Sequence, residues 1–227
     1  MAKEGFMSRF RLAVFDVDGT LTRVESCWQF IHERLGTWER GGKVNAQLYF
    51  SGKISYDDWA QMDAALWKGV SLEEIRGIVA GIQLMDGVEE AFDFLRRNEV
   101  KIALLTAGLN LLAERIAEHV PVDCYVANEL EVKNGILTGR VRVRVSLENK
   151  GEILNKLLEK FNAKPRECLA VGDDETMIPV FQKVGLSIAF NPRSPKVEKY
   201  AKVTVRAKSL KEIIPHIEKY MKCKGNV

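Results

Sequence analysis

A short apolar run that ends on two carboxylates constrains the fold of this chain more than any other stretch. Residues 11–15 have the apolar character of a buried strand, and the residues that follow include Asp16, Asp18 and Gly19. In open α/β sheets, ligands bind in the crevice beyond the carboxyl ends of the strands. The stretch therefore predicts a buried strand that delivers two acids to a ligand-binding edge.

The composition is that of a globular protein. The chain has 227 residues, of which 46% are hydrophobic and 29% are charged, which suits one domain of moderate size or one domain with an insert. The net charge of +3, with both signs interspersed, gives no indication of a nucleic-acid partner. No apolar run has the length of a membrane span, and the first nine residues lack the apolar segment of a signal peptide. We therefore expect no membrane partner and a cytoplasmic location.

Helical and strand patterns alternate along the rest of the chain. The helical patterns cover residues 87–98, 109–119, 149–161 and 209–221, and the strand patterns cover residues 101–105, 122–126, 167–171 and 186–190. Asn134-Gly135, between two further strand patterns, indicates a two-residue hairpin turn. This order predicts an α/β fold with a doubly wound, mostly parallel sheet, extended at one edge by the hairpin.

A helical block separates the first strand from the second. Ser55 and Ser71 are N-cap candidates, each followed three residues later by an acid. We expect an inserted helical-bundle cap domain of four helices at residues 23–84, and a core domain formed by residues 1–22 and 85–227. All four tryptophans lie in the block, and we favour a small core of its own over a stacking surface for an aromatic ligand. The block would cover the crevice as a lid.

The string DVDGTLT at residues 16–22, placed after an apolar strand, resembles the nucleophile motif of the haloacid dehalogenase-like (HAD) phosphohydrolases. From about residue 10 to 214, the chain resembles the phosphoserine phosphatase branch of that family, which has a helical C1-type cap on a HAD-like Rossmannoid core. The ribbon at 128–139, the stretch 150–154 and Val171-Gly172-Asp173 contribute to the resemblance. It implies an Mg2+-dependent phosphatase that acts on a small-molecule phosphomonoester through an aspartyl-phosphate, with phosphoserine as one candidate.

The resemblance also assigns catalytic roles. Asp16 would attack phosphorus, and Asp18 would protonate the leaving oxygen and later deprotonate the attacking water. The Thr106 hydroxyl, the Lys150 ammonium and the amides of the pair Ala107-Gly108 would stabilise the oxygens of the transferring phosphoryl group.

The metal and its ligands follow from the same resemblance. Mg2+ would neutralise the repulsion between carboxylates and phosphate, with the side chains of Asp16 and Asp173 and the main-chain carbonyl of Asp18 as ligands. Asp174 or Glu175 is a candidate for a position in the outer shell of the metal. The Thr20 hydroxyl and amide are candidates for contact with a phosphate oxygen.

The candidates for substrate binding include two departures from the branch. Glu25 falls where the branch keeps an acid for the ammonium group of the amino acid, and Tyr56 falls where it has an aromatic residue. Asp63 stands where the branch has an arginine for the serine carboxylate, and an acid there would repel a carboxylate. Thr176 and Met177 stand where the branch has Asn-Asp, and a methionine cannot order a water bound to magnesium.

Three other functions stay open. A phosphotransferase would pass the phosphoryl group from the same aspartyl-phosphate to another alcohol. A signalling receiver domain also accepts phosphate on an aspartate, although the cap and the second acid argue against it. A catalytically silent binding protein is supported mainly by Met177. A nucleotide-dependent oxidoreductase is disfavoured, because no Gly-x-Gly-x-x-Gly follows a strand. The expected partner is the substrate alone, bound by a monomer or a homodimer.

Overall fold

The computed structural model of the protein describes residues 10–222. The first nine residues, for which we expect no signal peptide, lie outside this range. The strands are β1 (Leu12–Phe15), β2 (Lys101–Leu109), β3 (Cys124–Lys133), β4 (Ile136–Arg142), β5 (Cys168–Gly172), β6 (Leu186–Phe190) and β7 (Val203–Val205). The helices are α1 (Cys27–Arg34), α2 (Lys43–Phe50), α3 (Tyr56–Ala65), α4 (Leu72–Ala80), α5 (Val88–Arg97), α6 (Asn110–His119), α7 (Lys150–Lys160), α8 (Ile178–Phe181), α9 (Pro195–Tyr200) and α10 (Ile214–Lys222). Between residues 10 and 222, no helix is both long and apolar enough to cross a membrane.

The strands form one seven-stranded sheet in the order β4-β3-β2-β1-β5-β6-β7. Six neighbouring strands, β3, β2, β1, β5, β6 and β7, pair in parallel. Strand β4 pairs with β3 in the antiparallel direction. The turn between β3 and β4 holds Asn134 at a φ of 52° and Gly135 at a φ of 77°, which are the left-handed conformations that a type I′ turn needs. The predicted fold class and the hairpin at the edge of the sheet are confirmed.

Strand β1 lies in the middle of the sheet and is buried on both faces. Leu12 and Val14 belong to one apolar cluster, and Ala13 and Phe15 belong to the other. A strand buried on both sides reads as a continuous apolar run instead of an alternating one. Because β1 pairs with β2 on one side and β5 on the other, the residues that follow these three strands come together at one edge.

Two parts of the predicted element order are wrong. Strand β2 does not end at Leu105 but runs to Leu109, and its pairing with β3 changes register between those two residues. The chain therefore reaches the edge of the sheet in an irregular extended form, and α6 begins at Asn110. Helix α9 and strand β7 were not predicted, because six and three residues are too short to show a hydrophobic period.

Helices α1 to α4 lie between β1 and β2 in the chain, and both predicted N-caps are present. The Ser55 hydroxyl accepts a hydrogen bond from the Asp58 amide, and the Asp58 carboxylate accepts one from the Ser55 amide, which makes a capping box. The Ser71 hydroxyl accepts a hydrogen bond from the Glu74 amide at the start of α4. The division of the chain at residues 23–84 into a separate cap domain stays a prediction.

The tryptophans do not form a core confined to the insert. Trp67 is fully buried, and it belongs to the same apolar cluster as Phe15 of the sheet. Trp28 stacks on Trp67 with a ring-centroid distance of 5.2 Å, but Trp28 and Trp59 are only partly buried. One apolar cluster therefore runs from the sheet into the helices above it.

The turn before β6 leaves no room for a side chain at Gly185. A Cβ atom there would lie 2.2 Å from the main-chain oxygen of Arg166. We expect Gly185→Ala to lower the free energy of unfolding by about 2 kcal/mol, because backbone atoms must move to relieve the overlap. Gly77 inside α4 has no atom within 4 Å of such a Cβ, and Gly77→Ala should instead raise it by about 1 kcal/mol. Urea unfolding of both variants measures the two effects, and equal stabilities would contradict this account of Gly185.

Candidate active site

A cavity of about 100 Å³ lies at the carboxyl edge of the sheet, under the helices of the insert. The core contributes to its wall Asp16, Asp18, Thr106, Ala107, Gly108, Leu147, Lys150, Asp174, Thr176 and Arg193. The insert contributes Glu25, Ser26, Trp28, Tyr56, Trp59, Ala60 and Asp63. The predicted catalytic and substrate-binding residues therefore line one cavity together with Asp174, although they come from widely separated parts of the chain, whereas Thr20, Asp173 and Glu175 are not part of its wall.

Asp16 and Lys150 form a buried ion pair on the floor of the cavity. The Lys150 Nζ lies 2.6 Å from the Asp16 Oδ2, and the two side chains are 2% and 5% exposed. The other carboxylate oxygen of Asp16 accepts a hydrogen bond from the Val17 amide. Burial raises the pKa of Asp16 to about 6, although Lys150 acts to lower it. Asp16 therefore stays ionised at neutral pH, with one oxygen held by a cation.

The Asp18 carboxylate contacts the first residue of α1 and lines the same cavity as Asp16. Its Oδ1 accepts a hydrogen bond of 2.7 Å from the Cys27 amide, and its Oδ2 accepts one of 3.2 Å from the Thr106 hydroxyl. Burial raises the pKa of Asp18, which favours the protonated form. A Cβ at Gly108 would lie 2.4 Å from the Asp18 Oδ2, so the close approach of the two chains requires glycine there.

The Thr106 hydroxyl is engaged with protein groups on both sides. It donates to Asp18, and it accepts a hydrogen bond of 2.8 Å from the Gly108 amide. Two of the groups that we expected to face a phosphoryl oxygen, the hydroxyl and this amide, thus contact each other. Their arrangement fixes the orientation of Asp18.

Asp173 follows β5 and lies directly behind the cavity wall. Its Oδ1 accepts a hydrogen bond of 2.7 Å from the Thr20 hydroxyl, so the expectation that Thr20 serves a phosphate oxygen with this hydroxyl is wrong. The Arg193 Nε lies 2.7 Å from the Asp173 Oδ2, but not in hydrogen-bonding geometry. Burial and then the charge of Asp16 raise the pKa of Asp173 to about 7, while Arg193 lowers it. Because β1 and β5 are neighbours in the sheet, the carboxylates of Asp16 and Asp173 lie close enough to interact at its carboxyl edge.

The turn after Asp173 separates two acids that are neighbours in the sequence. Asp174 lines the cavity, accepts hydrogen bonds from the amide and hydroxyl of Thr176, and pairs with Arg193 at 3.0 Å. Glu175 instead pairs with Lys196 on the surface at 2.7 Å. The candidacy of Glu175 for the outer shell of a metal is therefore wrong, because its side chain leaves the cavity.

Met177 has a packing role in this turn. It is fully buried and belongs to the apolar cluster on one face of the sheet. Its side chain packs against Gly172, where an added Cβ would lie 2.5 Å from the Met177 Cγ. The residue thus fills the core beneath β5 and does not line the cavity.

The acids fit a divalent cation that keeps much of its water shell. Within the described residues, no three side chains of His, Cys, Asp or Glu are grouped to hold a metal ion. Mg2+ is commonly bound by one or two carboxylates together with waters and substrate oxygens, which Asp16, Asp173 and a main-chain carbonyl can supply. Burial is the largest cause that raises the pKa values of Asp16 and Asp173, and Lys150 and Arg193 act against it.

One main-chain oxygen at the end of β2 accepts hydrogen bonds from two aromatic side chains of the insert. The Ala107 carbonyl accepts hydrogen bonds from the Tyr56 hydroxyl at 2.8 Å and the Trp28 Nε1 at 3.1 Å, both from the insert. The Asn128 side chain donates a third at 2.8 Å, and its own oxygen accepts from the amides of Arg144 and Val145. Ala107 was predicted to donate through its amide, which stays a prediction, and the structure shows its carbonyl as an acceptor. Asn128 and Arg193 were not predicted.

Glu25 and Asp63 occupy very different environments. The Glu25 side chain is 76% exposed, and its carboxylate lies 3.6 Å from the Arg193 guanidinium. Asp63 is 3% exposed; its Oδ1 accepts a hydrogen bond of 2.8 Å from the Asn45 side chain, and its Oδ2 lies 3.3 Å from the His32 Nε2. Asn45 and His32 were not predicted, because single polar residues on helical faces carry no motif.

The chain matches the model of the haloacid dehalogenase-like hydrolases over residues 10–185. It is 30% identical over 209 residues to a phosphoserine phosphatase of Methanocaldococcus jannaschii, an alignment that covers 92% of this chain and 98% of the relative. A phosphoserine phosphatase of Archaeoglobus fulgidus is 30% identical over 184 residues, which cover 81% of this chain and 53% of the relative.

Solved structures give the same result. A phospho-aspartyl intermediate analogue of phosphoserine phosphatase superposes with a TM-score of 0.78 at 28% identity, and a substrate-bound phosphoserine phosphatase superposes with a TM-score of 0.79 at 27% identity. Each comparison covers 91% of this chain and 98% of the solved one. Together with the match over residues 10–185, they confirm the resemblance, and the chain belongs to the haloacid dehalogenase-like hydrolases, among relatives that are phosphoserine phosphatases.

Proposed function

We propose that the protein hydrolyses a small-molecule phosphomonoester through an aspartyl-phosphate on Asp16, with Mg2+ as cofactor. Hydrolysis of a phosphoric monoester is the reaction class of its family and relatives. The observation that carries the proposal is the pair of buried acids in one cavity, with Asp16 held by Lys150 at 2.6 Å and Asp18 held by the Cys27 amide at 2.7 Å. Burial raises the pKa of both acids, but Asp16 is paired with the Lys150 cation whereas Asp18 accepts from an amide and a hydroxyl, so the two acids have the different surroundings that two different roles require.

The first step forms the covalent intermediate. A carboxylate oxygen of Asp16 attacks phosphorus, the bond from phosphorus to the ester oxygen breaks, and Asp18 gives its proton to that oxygen as the alcohol leaves. Burial raises the pKa of Asp18, which is the direction of shift that a proton donor needs. The solved relative that is a phospho-aspartyl intermediate analogue supports the same intermediate here.

The second step releases phosphate. Asp18, now ionised, takes a proton from water as the water oxygen attacks phosphorus, and the bond from phosphorus to Asp16 breaks. Inorganic phosphate leaves, and both acids return to their starting forms. The hydrogen bonds from Cys27 and Thr106 keep Asp18 in one position throughout, so that a single group can act in both directions.

Lys150 and the bound metal would compensate the charge of the phosphate. Lys150 is buried beside Asp16, and a desolvated cation acts strongly on charge that develops in the transition state. We assign Mg2+ to the side chains of Asp16 and Asp173 and the carbonyl of Asp18, with Asp174 close to it. When bound, Mg2+ would polarise the phosphoryl group and neutralise its oxygens.

We further propose that residues 23–84 act as the cap of this site. Trp28 and Tyr56 donate to the Ala107 carbonyl, so the insert rests directly on the end of β2. Among the further contacts, the Tyr49 hydroxyl at the end of α2 donates to Glu148 in the loop before α7. Such a cover would exclude bulk water from the aspartyl-phosphate. A cytoplasmic location, and a monomeric or homodimeric state, stay predictions.

Phosphate release from p-nitrophenyl phosphate and a panel of alkyl phosphates tests the proposal, with Mg2+ in one series and EDTA in the other. We expect repeated turnover with Mg2+ and its loss with EDTA, restored by excess Mg2+. A single equivalent of bound phosphate without turnover would favour a receiver domain, and release only in the presence of an added alcohol would favour a phosphotransferase. No reaction of any ester would favour a silent binding protein.

A further inference from the structure

The wall that the insert contributes to the cavity combines acids with aromatic rings. Glu25 and Asp63 line it, together with the rings of Trp28, Tyr56 and Trp59. A substrate whose phosphate sits at Asp16 has its remaining atoms against this wall. The charge and shape of the wall therefore determine which alcohol the phosphate ester can carry.

Asp63 is built into the wall as a fixed negative charge. The Asn45 amide donates to its Oδ1 at 2.8 Å, and the His32 Nε2 faces its Oδ2 at 3.3 Å. The Trp67 Nε1 lies 3.2 Å from both the His32 Nδ1 and the Thr37 hydroxyl, and that hydroxyl lies 2.7 Å from the His32 Nδ1. These contacts fix the His32 ring beside the Asp63 carboxylate.

The cations of the cavity are already paired with acids. Among the described residues that line it, the basic ones are Lys150 and Arg193. Lys150 pairs with Asp16, and Arg193 contacts Asp173, Asp174 and Glu25 at 2.7, 3.0 and 3.6 Å. A carboxylate on the substrate would have to displace one of these acids and would also face Asp63. The wall thus disfavours an anionic alcohol.

Three aromatic rings, those of Trp28, Tyr56 and Trp59, line the cavity that would hold the substrate. Trp28 and Tyr56 are anchored by hydrogen bonds to the Ala107 carbonyl, and Trp59 stacks on Tyr49 at a centroid distance of 4.7 Å. Aromatic rings and a carboxylate that line one cavity are the surroundings in which proteins bind ammonium groups, alkylated ones included.

We propose that the substrate is the phosphate monoester of an amino alcohol that lacks a carboxylate. Its ammonium group, primary or alkylated, lies against Asp63 and the rings of Trp28, Tyr56 and Trp59, and the acid Glu25 adds to the same field. This inference rests on the proposed phosphatase activity. It favours this class of substrate over phosphoserine, which the resemblance gave as one candidate. The loss of the carboxylate, and not of the ammonium group, is what distinguishes this substrate class from phosphoserine.

The test compares four esters that differ by one group at a time, using the full-length protein with Mg2+. They are ethyl phosphate, 2-aminoethyl phosphate, its trimethylammonium counterpart and O-phosphoserine. We expect kcat/KM for the better of the two amine esters to exceed that for ethyl phosphate, and that for phosphoserine, by at least about tenfold. Because this ranking uses the unaltered protein, it does not depend on the folding of any variant.

Asp63→Asn then tests the source of the preference. It should reduce the ratio of kcat/KM between 2-aminoethyl phosphate and ethyl phosphate to roughly one, because the amide carries no charge. Asp57→Asn is the matched control, since it removes the same charge from an exposed position of α3 and should leave the ratio unchanged.

The outcomes separate this inference from the proposed function. Turnover of ethyl phosphate at the same efficiency as the amine esters, or a preference for phosphoserine, would overturn the inference while leaving the phosphatase intact. Hydrolysis of none of the four esters, nor of p-nitrophenyl phosphate, would overturn both. An unchanged ratio in Asp63→Asn would remove Asp63 as the determinant and with it the proposed recognition.

Discussion

Asp16→Asn is expected to lower the rate of phosphate release by roughly 10⁴-fold or more, because the amide oxygen cannot serve as the nucleophile. Asparagine keeps the shape of the side chain and an oxygen for the Val17 amide, which donates to Asp16 at 2.8 Å. The position that accepts from Lys150, whose Nζ lies 2.6 Å from the native Oδ2, becomes an amide nitrogen. The variant therefore removes the reacting atom and also the charge that pairs with Lys150, so its folding must be measured together with its activity.

The measurement is steady-state release of phosphate from p-nitrophenyl phosphate, with thermal unfolding to show that the variant is folded. Mass spectrometry of acid-quenched protein gives an independent readout, because the native protein should gain one phosphoryl group during turnover and the variant none. Asp57→Asn, an exposed acid on α3, serves as the control for a change of one charge. Activity of Asp16→Asn near the native level would rule out the aspartyl-phosphate on this residue.

Much of the fold could be predicted because its determinants are local. The apolar run of β1 reads as a buried strand whatever surrounds it, and Asn134-Gly135 specifies its turn through two left-handed residues. Where the structure departs from the prediction, the deciding contacts are distant in the sequence. The extension of β2 to Leu109 depends on its pairing with β3, and β7 depends on its pairing with β6 and on the packing of Val205 in the apolar cluster. Neither contact leaves a periodic pattern in the residues themselves.

The candidate site shows the same division between local and distant contacts. Asp16 and Asp18 are recognisable because they directly follow β1, and strand order brings them near Asp173. Arg193 comes from the loop after β6 and reaches three acids at once, which no spacing in the sequence indicates. Glu175 was one of two candidates for the outer shell of the metal, although a turn carries it to Lys196. Side-chain direction within a short turn depends on backbone geometry that composition does not specify.

The Asp63 position illustrates how a departure from a family pattern acquires meaning in three dimensions. The sequence alone shows only that an acid stands where the phosphoserine phosphatase branch has an arginine. In the structure it is a buried carboxylate held by Asn45 and His32 beside aromatic rings, and burying a charge without such partners is strongly unfavourable. These surroundings support a role for the negative charge of Asp63 in binding the substrate. A site with this charge favours a cationic group, whereas an arginine at the same position would favour a carboxylate.

Asp18→Asn should separate the two chemical steps, because only one of them depends on the leaving group. An aryl phosphate such as p-nitrophenyl phosphate has a good leaving group, so Asp16 can be phosphorylated without a proton from residue 18. Attack by water on the aspartyl-phosphate still needs a base, and its loss should slow that step by roughly 10²–10⁴-fold. Rapid-quench kinetics should therefore show one equivalent of p-nitrophenol per protein, followed by slow turnover.

An alkyl phosphate is the matched substrate for this variant. Its poor leaving group needs the proton that Asp18 supplies, so we expect neither a burst nor an accumulated phosphoenzyme with ethyl phosphate. The hydrogen bonds from Cys27 and Thr106, at 2.7 and 3.2 Å, hold residue 18 in place, and Thr106→Val should produce a milder defect in both steps through misplacement of the acid. A burst of equal size with aryl and alkyl esters would contradict a proton-donor role for Asp18, and native turnover by the variant would assign both proton transfers to another group.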